Sequence, residues 1–173
     1  MKRTEFASWP CSVARTVDLL GDWWTPLVLR EAFLGVRRFD DMQRELGIGR
    51  NVLTQRLKRL VEEQLLERVR YQEKPDRYEY HLTEKGASLF AILVALRQWG
   101  EEHLFVEGER HSVLLDVETE RPLPRLEPIG ADGRPITHRN AYVRKVPRGG
   151  GGDGVASGDR ERRRRARPPD PDT

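Results

Sequence analysis

The chain has 173 residues, of which 37% are hydrophobic and 34% are charged, and its formal net charge at pH 7 is +3. This length allows a domain with a buried core plus additional segments. No apolar run approaches the ~20 residues that a transmembrane helix needs, and the N-terminus lacks the apolar segment of a signal peptide. We therefore expect a cytoplasmic protein, consistent with a single cysteine, Cys11, that cannot form an intrachain disulfide.

Two short helices with one apolar face are predicted before residue 35. The apolar spacing over residues 13–20 indicates the first helix, which should end at Gly21. The second helix should begin just ahead of Pro26, because proline lacks an amide hydrogen and is tolerated only in a first turn. It should extend to Leu34 and stop at the following glycine.

A helix-turn-helix unit is predicted next. One short helix should run from Phe39 to Leu46 and close at Gly47, and another should follow a short glycine-containing turn. The later helix lies in RNVLTQRLKRLV, residues 50–61, where four cationic side chains stand without any carboxylate. Its inward face is predicted from apolar residues spaced i, i+4, i+7 and i+8, namely Leu53, Leu57, Leu60 and Val61.

A β-hairpin is predicted after residue 64, where the sequence period changes from 3.6 to 2. Residues 66–71 and 78–82 alternate in character, and the polar segment 72–77, which contains a proline, separates them. This arrangement indicates two strands with a protruding tip. Thr83 is then expected to cap one long helix with a broad apolar face, extending to about residue 104.

The predicted fold is mainly α with a β-hairpin wing, a winged helix-turn-helix domain over residues 11–105. Residues 1–10 would form an N-terminal arm. Short alternating runs and a turn signal indicate a small β-rich appendage at 106–147. Residues 148–173, rich in glycine, arginine and proline, should form a disordered tail. The arginine cluster at 160–167 would either add non-specific phosphate contacts or only keep the chain soluble.

The outward face of the 50–61 helix carries side chains that suit the DNA major groove. Asn and Gln can pair bidentately with adenine, Arg can pair with guanine, and Val can contact a thymine methyl, while Thr, Lys and Arg suit phosphates. A solvated basic face is the alternative, but the preceding helix, the turn and the hairpin favour DNA. The predicted recognition residues are Arg50, Asn51, Val52, Thr54, Gln55, Lys58 and Arg59.

The hairpin and the turn before Phe39 are predicted to contact the DNA backbone or an adjacent minor groove. An ordinary polar hairpin turn is the alternative, because Glu73 and Asp76 interleave with the cations. The two arginines before Phe39 could equally be solvated turn residues. The predicted wing and backbone contacts are Arg37, Arg38, Arg70, Lys74, Arg77 and Tyr78.

Several linked motifs over residues 9–105 resemble the HxlR family of bacterial transcriptional regulators. They are Cys11 with V-A-R-T-V-D-L-L-G, then W-T-P-L-V-L-R-E, G-V-R-R-F, N-V-L-T-Q-R-L, Y-x-E-x-P-x-R-Y-E-Y and L-T-E-K-G. The resemblance implies a dimeric winged-helix DNA-binding protein whose first and last helices form the dimer interface. The predicted interface residues are Val13, Val17, Leu89, Phe90, Leu93, Leu96 and Trp99.

The resemblance also bears on three individual positions and on the appendage. A cysteine at the position of Cys11 senses redox or electrophile signals in some members, and a small buried hydrophobe is the alternative. Trp23 stands where the family commonly has a basic residue, so one backbone contact is expected to be missing. Gly49 stands where a serine often caps the recognition helix. Some relatives bind zinc through paired cysteines in an extension, but residues 106–147 contain no cysteine, and we expect no metal or other cofactor.

We expect a sequence-specific transcriptional regulator, a dimeric repressor on a pseudo-palindromic operator in double-stranded DNA, responding to an oxidant, an electrophile or a small molecule. A winged-helix protein-interaction module with incidental nucleic-acid affinity is the alternative. An RNA-binding domain is less favoured, because the hairpin and recognition helix lack aromatic stacking platforms. We expect neither a membrane partner nor enzymatic activity, since the four histidines are scattered and no phosphate loop or activated-serine motif is present.

Overall fold

The computed structural model describes residues 6–143. Thr16–Val113 forms one compact unit, and the described residues 6–15 and 114–143 belong to a second. The mainly α fold with a β-hairpin wing is confirmed. The expectations for the 148–173 tail and its arginine cluster lie outside the described residues. In chain order the elements are α1 (Ser12–Leu20), α2 (Trp24–Phe33), α3 (Phe39–Leu46), α4 (Arg50–Glu62), β1 (Leu66–Glu73), β2 (Asp76–Leu82), α5 (Glu84–Ala87) and α6 (Phe90–His103).

The start of α2 is fixed by the side chain of Asp22. Its Oδ1 accepts hydrogen bonds from the backbone amides of Trp24 and Thr25 at 2.9 and 3.0 Å. Its Oδ2 accepts the Thr25 hydroxyl at 2.6 Å. Because the first amides of a helix have no intrahelical partner, this carboxylate satisfies donors that would otherwise be unpaired. Pro26 therefore lies in the first turn, as predicted.

The helix-turn-helix is formed by α3, a turn over residues 47–49, and α4. Gly47 ends α3 in the left-handed region at φ 61°, where glycine carries no Cβ penalty. Gly49 precedes α4 in an extended conformation and offers no side chain to cap it. The amide of Leu53 donates to the Gly49 carbonyl at 3.0 Å, which closes the first turn of α4.

One face of α4 belongs to the hydrophobic core. Its Leu53, Leu57 and Leu60 are 0%, 1% and 2% exposed, and they cluster with residues of α2, α3 and the chain entering β1. Each buried leucine side chain contributes roughly 1.5–3 kcal/mol relative to exposure. These three residues therefore fix the rotation of α4 about its axis and direct its opposite face to solvent.

The wing is a two-stranded antiparallel sheet. β1 and β2 pair with Leu66 opposite Leu82 at the base, and the register shifts between Arg70 and Gln72. A shift of this kind leaves one residue of the longer strand unpaired and increases the local twist. Leu66 is buried at the base, whereas most of β1 beyond it is exposed, so the hairpin projects from the core.

The single long helix expected from Thr83 is instead two helices, α5 and α6. Thr83 caps α5 as predicted, its hydroxyl accepting the Gly86 amide at 3.0 Å. A Cβ at Gly86 would lie 2.0 Å from the carbonyl oxygen of Leu65, so α5 lies directly against the chain that enters β1. Leu89, between the two helices, is buried in the core. The helical pattern is therefore interrupted at residues 88–89, between α5 and α6.

The β structure expected after residue 105 is sparse. Within residues 114–143, it consists of two isolated antiparallel bridges, Leu115 with Pro122 and Ile129 with Pro135. Each bridge includes a proline, which cannot donate a ladder hydrogen bond, so neither extends into a strand. A nearby turn is held by Asp116, whose Oδ1 accepts the amide of Thr119 at 2.8 Å. Hydrogen bonds of this kind lower the pKa of the Asp116 carboxyl.

Candidate nucleic-acid interface

The solvent-facing side of α4 brings together five of the predicted recognition residues. The Arg50 guanidinium lies 4.9 Å from the ring centroid of Phe39 and 3.8 Å from Asp40 Oδ1. The Lys58 ammonium lies 3.7 Å from the carboxylate of Glu62. Exposed pairs of this type contribute about 0–1 kcal/mol, so both cations can exchange these partners for phosphate. The five exposed residues are Arg50, Asn51, Thr54, Gln55 and Lys58.

Arg59 and Val52 do not share this free face. An Nη of Arg59 donates to the backbone carbonyl of Asp18 at 2.7 Å, near the end of α1. Val52 is half-buried and packs against the core. Arg59 thus lies on a flank of α4 that contacts the end of α1. A guanine contact by Arg59 would require its guanidinium to leave the Asp18 carbonyl, and the thymine contact of Val52 stays a prediction.

Arg56 is a structural residue on the same flank. Its Nε is buried and lies 3.2 Å from Asp22 Oδ1, without the alignment of a hydrogen bond. Asp22 thus serves two elements, since it also caps α2. The sequence showed only that Arg56 lies beside the buried face. Its acidic neighbour is 34 positions earlier in the chain, and no local signal identifies it.

The hairpin tip presents fewer available cations than the sequence suggests. Arg70 is engaged by Glu73 at 3.1 Å and by Asp76 at 3.3 Å. Lys74 and Arg77 are exposed at the tip. Lys74 and Arg77 are therefore the wing cations that are most available to a DNA backbone. Arg70 instead holds the hairpin turn through its two ion pairs.

Tyr78 is covered by a cation that the sequence did not single out. The guanidinium carbon of Arg68 lies 3.4 Å from the centroid of the Tyr78 ring. Arg68 and Tyr78 stand on neighbouring strands, so this contact stiffens the wing. The phenol of Tyr78 is half-buried, while Arg68 is exposed. Arg68 is thus an additional cation of the wing surface.

Of the two arginines before α3, Arg38 is bound to the wing. Its Nε donates to Glu79 Oε1 at 3.1 Å, and its guanidinium lies 4.6 Å from the Tyr71 ring centroid. The hydrogen bond lowers the pKa of Glu79 and raises that of Arg38. Arg37 is exposed, and its carbonyl accepts the amide of Tyr80 at 2.8 Å. Arg38 therefore anchors the wing, and Arg37 keeps a free side chain for phosphate.

The predicted dimer residues separate into exposed and buried sets. Leu89 is 9% exposed and Leu93 is half-buried, and both pack with the core of the same chain. They belong to the apolar stripe expected of one long helix, and here they pack inside the protein's own core. Leu96 and Trp99 are 55% and 57% exposed on α6. The exposed members of the set are Val13, Val17, Phe90, Leu96 and Trp99, to which the structure adds Ile92.

Cys11 is exposed and stands directly before α1. Its carbonyl accepts the amide of Arg15 at 3.1 Å. The Arg15 guanidinium is turned to the carbonyl of Trp9, to which its Nε donates at 2.7 Å. Within this chain, Cys11 is therefore an accessible thiol rather than a buried apolar residue.

Residues 6–143 show neither a metal-ligand cluster nor a membrane-spanning helix. In that part of the chain, no group of three or more histidine, cysteine, aspartate or glutamate side chains is arranged to hold a metal ion. None of its helices is both long enough and apolar enough to cross a membrane. The Nε2 of His81 lies 3.2 Å from the carboxylate of Glu79.

Comparison with known proteins identifies the family. The family described as HxlR-like helix-turn-helix matches residues 19–107. The HTH-type transcriptional regulator Rv3095 of Mycobacterium tuberculosis (strain ATCC 25618 / H37Rv) is 55% identical over 93 residues, which are 54% of this chain and 59% of that protein. The chain thus spans about three fifths of the length of this relative. Another relative, the regulatory protein MalR of Fusobacterium mortiferum, is 36% identical over 54% of this chain and 90% of its own.

Solved structures share the fold. The crystal structure of PA1607 has a TM-score of 0.78 and 39% identity, and the match covers 83% of this chain and 100% of that one. The redox regulator HypR in its reduced form has a TM-score of 0.52 and 29% identity, covering 54% of this chain and 94% of its own. The oxidised form of HypR aligns with the same TM-score at 31% identity. The chain belongs to the HxlR-like helix-turn-helix family.

Proposed function

We propose that the protein regulates transcription by binding double-stranded DNA sequence-specifically through α4. The main support for this proposal is that α4 is amphipathic. Its leucine face is fixed in the core, while Arg50, Asn51, Gln55 and Lys58 are exposed on the opposite face. A helix held this way at the end of a helix-turn-helix can enter the major groove with its polar face toward the bases.

Within this face, the side-chain amides of Asn51 and Gln55 would contact bases. The charged and hydroxyl side chains beside them would position the protein on the DNA backbone. Asn51 and Gln55 are four residues apart, so their side chains are neighbours on one face of the helix. Each can donate to adenine N7 and accept from adenine N6, a bidentate pattern that other bases do not offer. Arg50, Thr54 and Lys58 border these amides and would bind phosphates, which carry no sequence information.

The wing supplies contacts outside the major groove. Lys74 and Arg77 at the hairpin tip would reach the backbone or the minor groove beside the α4 site. Arg37 is the corresponding candidate at the turn before α3. Arg38 and Arg70 act indirectly, because ion pairs with Glu79 and with the tip carboxylates hold the wing in shape.

We further propose a two-fold dimer formed through α1 and α6, acting as a repressor. The exposed Phe90, Leu96 and Trp99 give α6 an apolar surface that a second copy would cover. Two-fold symmetry would place the two α4 helices about one DNA turn apart, roughly 34–36 Å, and so requires a pseudo-palindromic operator. Residues 11–105 would then constitute the DNA-binding and dimerisation domain.

A redox response through Cys11 is a second proposal, supported by its exposure at the start of α1. HypR, which shares this fold, is named a redox regulator and has been solved in reduced and oxidised forms. The Cys11 thiolate can attack a small disulfide, forming a mixed disulfide and releasing the small thiol. If α1 belongs to the dimer interface, such an adduct would alter the relative placement of the two α4 helices.

The test is DNA binding by the full chain, measured by fluorescence anisotropy on the region upstream of its own gene and on random duplex. We expect salt-dependent binding with a clear preference for the upstream site. Asn51→Ala and Gln55→Ala should each weaken the specific complex by about tenfold to a hundredfold and relax the preference at one base pair.

Two charge variants complete this experiment. Lys58→Ala should weaken specific and random duplexes alike, because a phosphate contact carries no sequence information. Arg110→Ala removes an exposed cation outside the proposed interface and should leave both affinities unchanged. Equal losses on both duplexes for the two amide variants would refute sequence reading by α4. The protein-interaction alternative would be favoured if the wild type showed no preference between duplexes.

A further inference from the structure

We propose that Trp23 is an additional DNA-contacting residue, packing its indole against the sugar-phosphate backbone beside α4. This inference rests on the proposed function and adds a non-ionic contact to it. The resemblance to the family led us to expect a missing contact at this position. The surroundings of Trp23 indicate a contact of a different chemical kind.

The first observation is the exposure of the side chain. Trp23 is 90% exposed, whereas the next residue, Trp24, packs against the core. An exposed indole leaves a large apolar surface in contact with water, where it contributes no burial energy. A fully exposed tryptophan is therefore uncommon at a position with no binding role. Tryptophan is concentrated instead at surfaces where binding energy is focused.

The second observation is that the backbone of Trp23 is held in place. Trp23 has helical dihedrals, φ −61° and ψ −29°. The preceding Asp22 accepts the amides of Trp24 and Thr25, so hydrogen bonds join the residues on both sides of Trp23. The indole is therefore presented from an ordered turn, and binding would immobilise little more than its two side-chain torsions.

The third observation is position relative to the recognition helix. The Asp18 carbonyl is bound to Arg59, and Asp22 lies against Arg56, nearer the start of α4. The chain from Asp18 to Asp22 therefore runs along one flank of α4 toward its N-terminal half. Trp23 directly follows Asp22, the residue that lies 3.2 Å from Arg56 of α4. When α4 enters the major groove, residues on its flank meet the groove wall, which is the DNA backbone.

The chemistry of the position favours an uncharged contact. A tryptophan ring can pack on the apolar face of deoxyribose, and its Nε1–H can donate to a phosphate oxygen. Asp22 is the adjacent acid, but it is paired with Arg56 and with the first amides of α2, which reduces its repulsion of phosphate. A contact of this kind displaces no counterion, so it adds affinity without adding to the salt dependence.

The experiment compares Trp23→Ala, Trp23→Phe and Trp23→Arg with the wild type on the upstream site and on random duplex. Trp23→Ala should weaken both complexes by about fivefold to twentyfold, in line with single aromatic contacts to nucleic acid. The slope of log K against log salt should stay unchanged for Trp23→Ala. It should steepen by about 0.9 for Trp23→Arg, which gains one phosphate pairing.

A spectroscopic measurement gives an independent readout. Wild-type tryptophan emission should change when DNA is added, and Trp23→Phe should lose that change while keeping part of the affinity. Leu34→Ala, which truncates an exposed apolar residue at the other end of α2, is the matched control and should bind like the wild type. Because Trp23 is exposed, its variants should retain the wild-type melting temperature, which circular dichroism checks.

The outcomes separate this inference from the proposed function. The inference is refuted, and the proposed function stands, if Asn51→Ala weakens the specific complex while two other results match the wild type. These are the DNA affinity of Trp23→Ala and the emission change of Trp23→Phe on DNA addition. If the wild type has no preference for the upstream site, the proposed function itself fails. A Trp23→Ala variant that binds DNA normally but loses self-association would assign Trp23 to a protein contact and would also overturn the inference.

Discussion

Replacing Arg59 with alanine should reduce the stability of the fold and leave base preference intact. The Arg59 guanidinium donates to the Asp18 carbonyl at 2.7 Å in a partly buried site. A hydrogen bond involving a charged group contributes about 1.5–3 kcal/mol, and partial exposure of this site reduces the expected loss to about 1 kcal/mol. For a unit of the size of Thr16–Val113, that loss corresponds to a fall in Tm of about 4–8 °C.

The assay pairs thermal melting with binding to operators that carry single base-pair changes. Arg59→Ala should lower Tm and keep the wild-type order of preference among these operators. Lys58→Ala is the matched control, because Lys58 is exposed on the same helix and its loss should change stability by less than about 0.5 kcal/mol while weakening every complex. An unchanged Tm together with relaxed preference at one base pair would restore Arg59 as a base reader and refute this reasoning.

Four other changes test separate parts of the structure. The Arg38 hydrogen bond lowers the pKa of Glu79, so Glu79→Gln should lower Tm by its full amount above pH 4.5. The Tm difference between this variant and the wild type should shrink as the pH falls through the folded-state pKa of Glu79. A Tm difference independent of pH would contradict the pairing. Gly86→Ala should lower Tm because its Cβ would meet the Leu65 carbonyl, whereas Gly100→Ala, with no contact closer than 4.0 Å, should not. Leu96→Glu should convert a dimer to monomers in light scattering and weaken operator binding, and an unchanged mass would remove α6 from the interface. Cys11→Ser should abolish any effect of diamide on operator binding, and an equal effect in both proteins would exclude Cys11 as the sensor.

Much of the fold follows from local sequence signals. The period of Leu53, Leu57 and Leu60 predicts the inward face of α4, and glycines mark the ends of α2 and α3. The change from a period of 3.6 to 2 locates the hairpin. Each of these signals depends on a few neighbouring residues, which is why the helices and strands before residue 82 could be assigned without a structure.

The differences arise where distant segments meet. A helical wheel places Arg59 on the outward face, and only the packing of α4 against the end of α1 shows that the Asp18 carbonyl engages it. Likewise, Leu89 continues an apolar stripe, and only the folded chain shows that Leu89 is buried in the core and that Gly86 lies against Leu65. Both features depend on tertiary contacts that no local period encodes.

The candidate site shows the same division. The identity of the exposed α4 side chains was predictable, because amphipathic spacing alone separates them from the leucines. The partners of Arg38 and Arg56 were not predictable, since the fold brings Glu79 and Asp22 to them from distant positions, whereas the acids that engage Arg70 are local and visible in the sequence. An arginine in a basic sequence is thus available for DNA only when the fold leaves it without a stronger partner.

The central claim is that Asn51 and Gln55 read adenines in the major groove. The most direct measurement replaces each operator adenine in turn with 7-deazaadenine, which lacks the N7 acceptor, and determines the Kd of wild type and Asn51→Ala. We expect the wild type to lose affinity at defined adenines in each half-site and Asn51→Ala to be insensitive at one of them, so that the two changes are not additive. Full additivity at every adenine for both Asn51→Ala and Gln55→Ala would contradict the account.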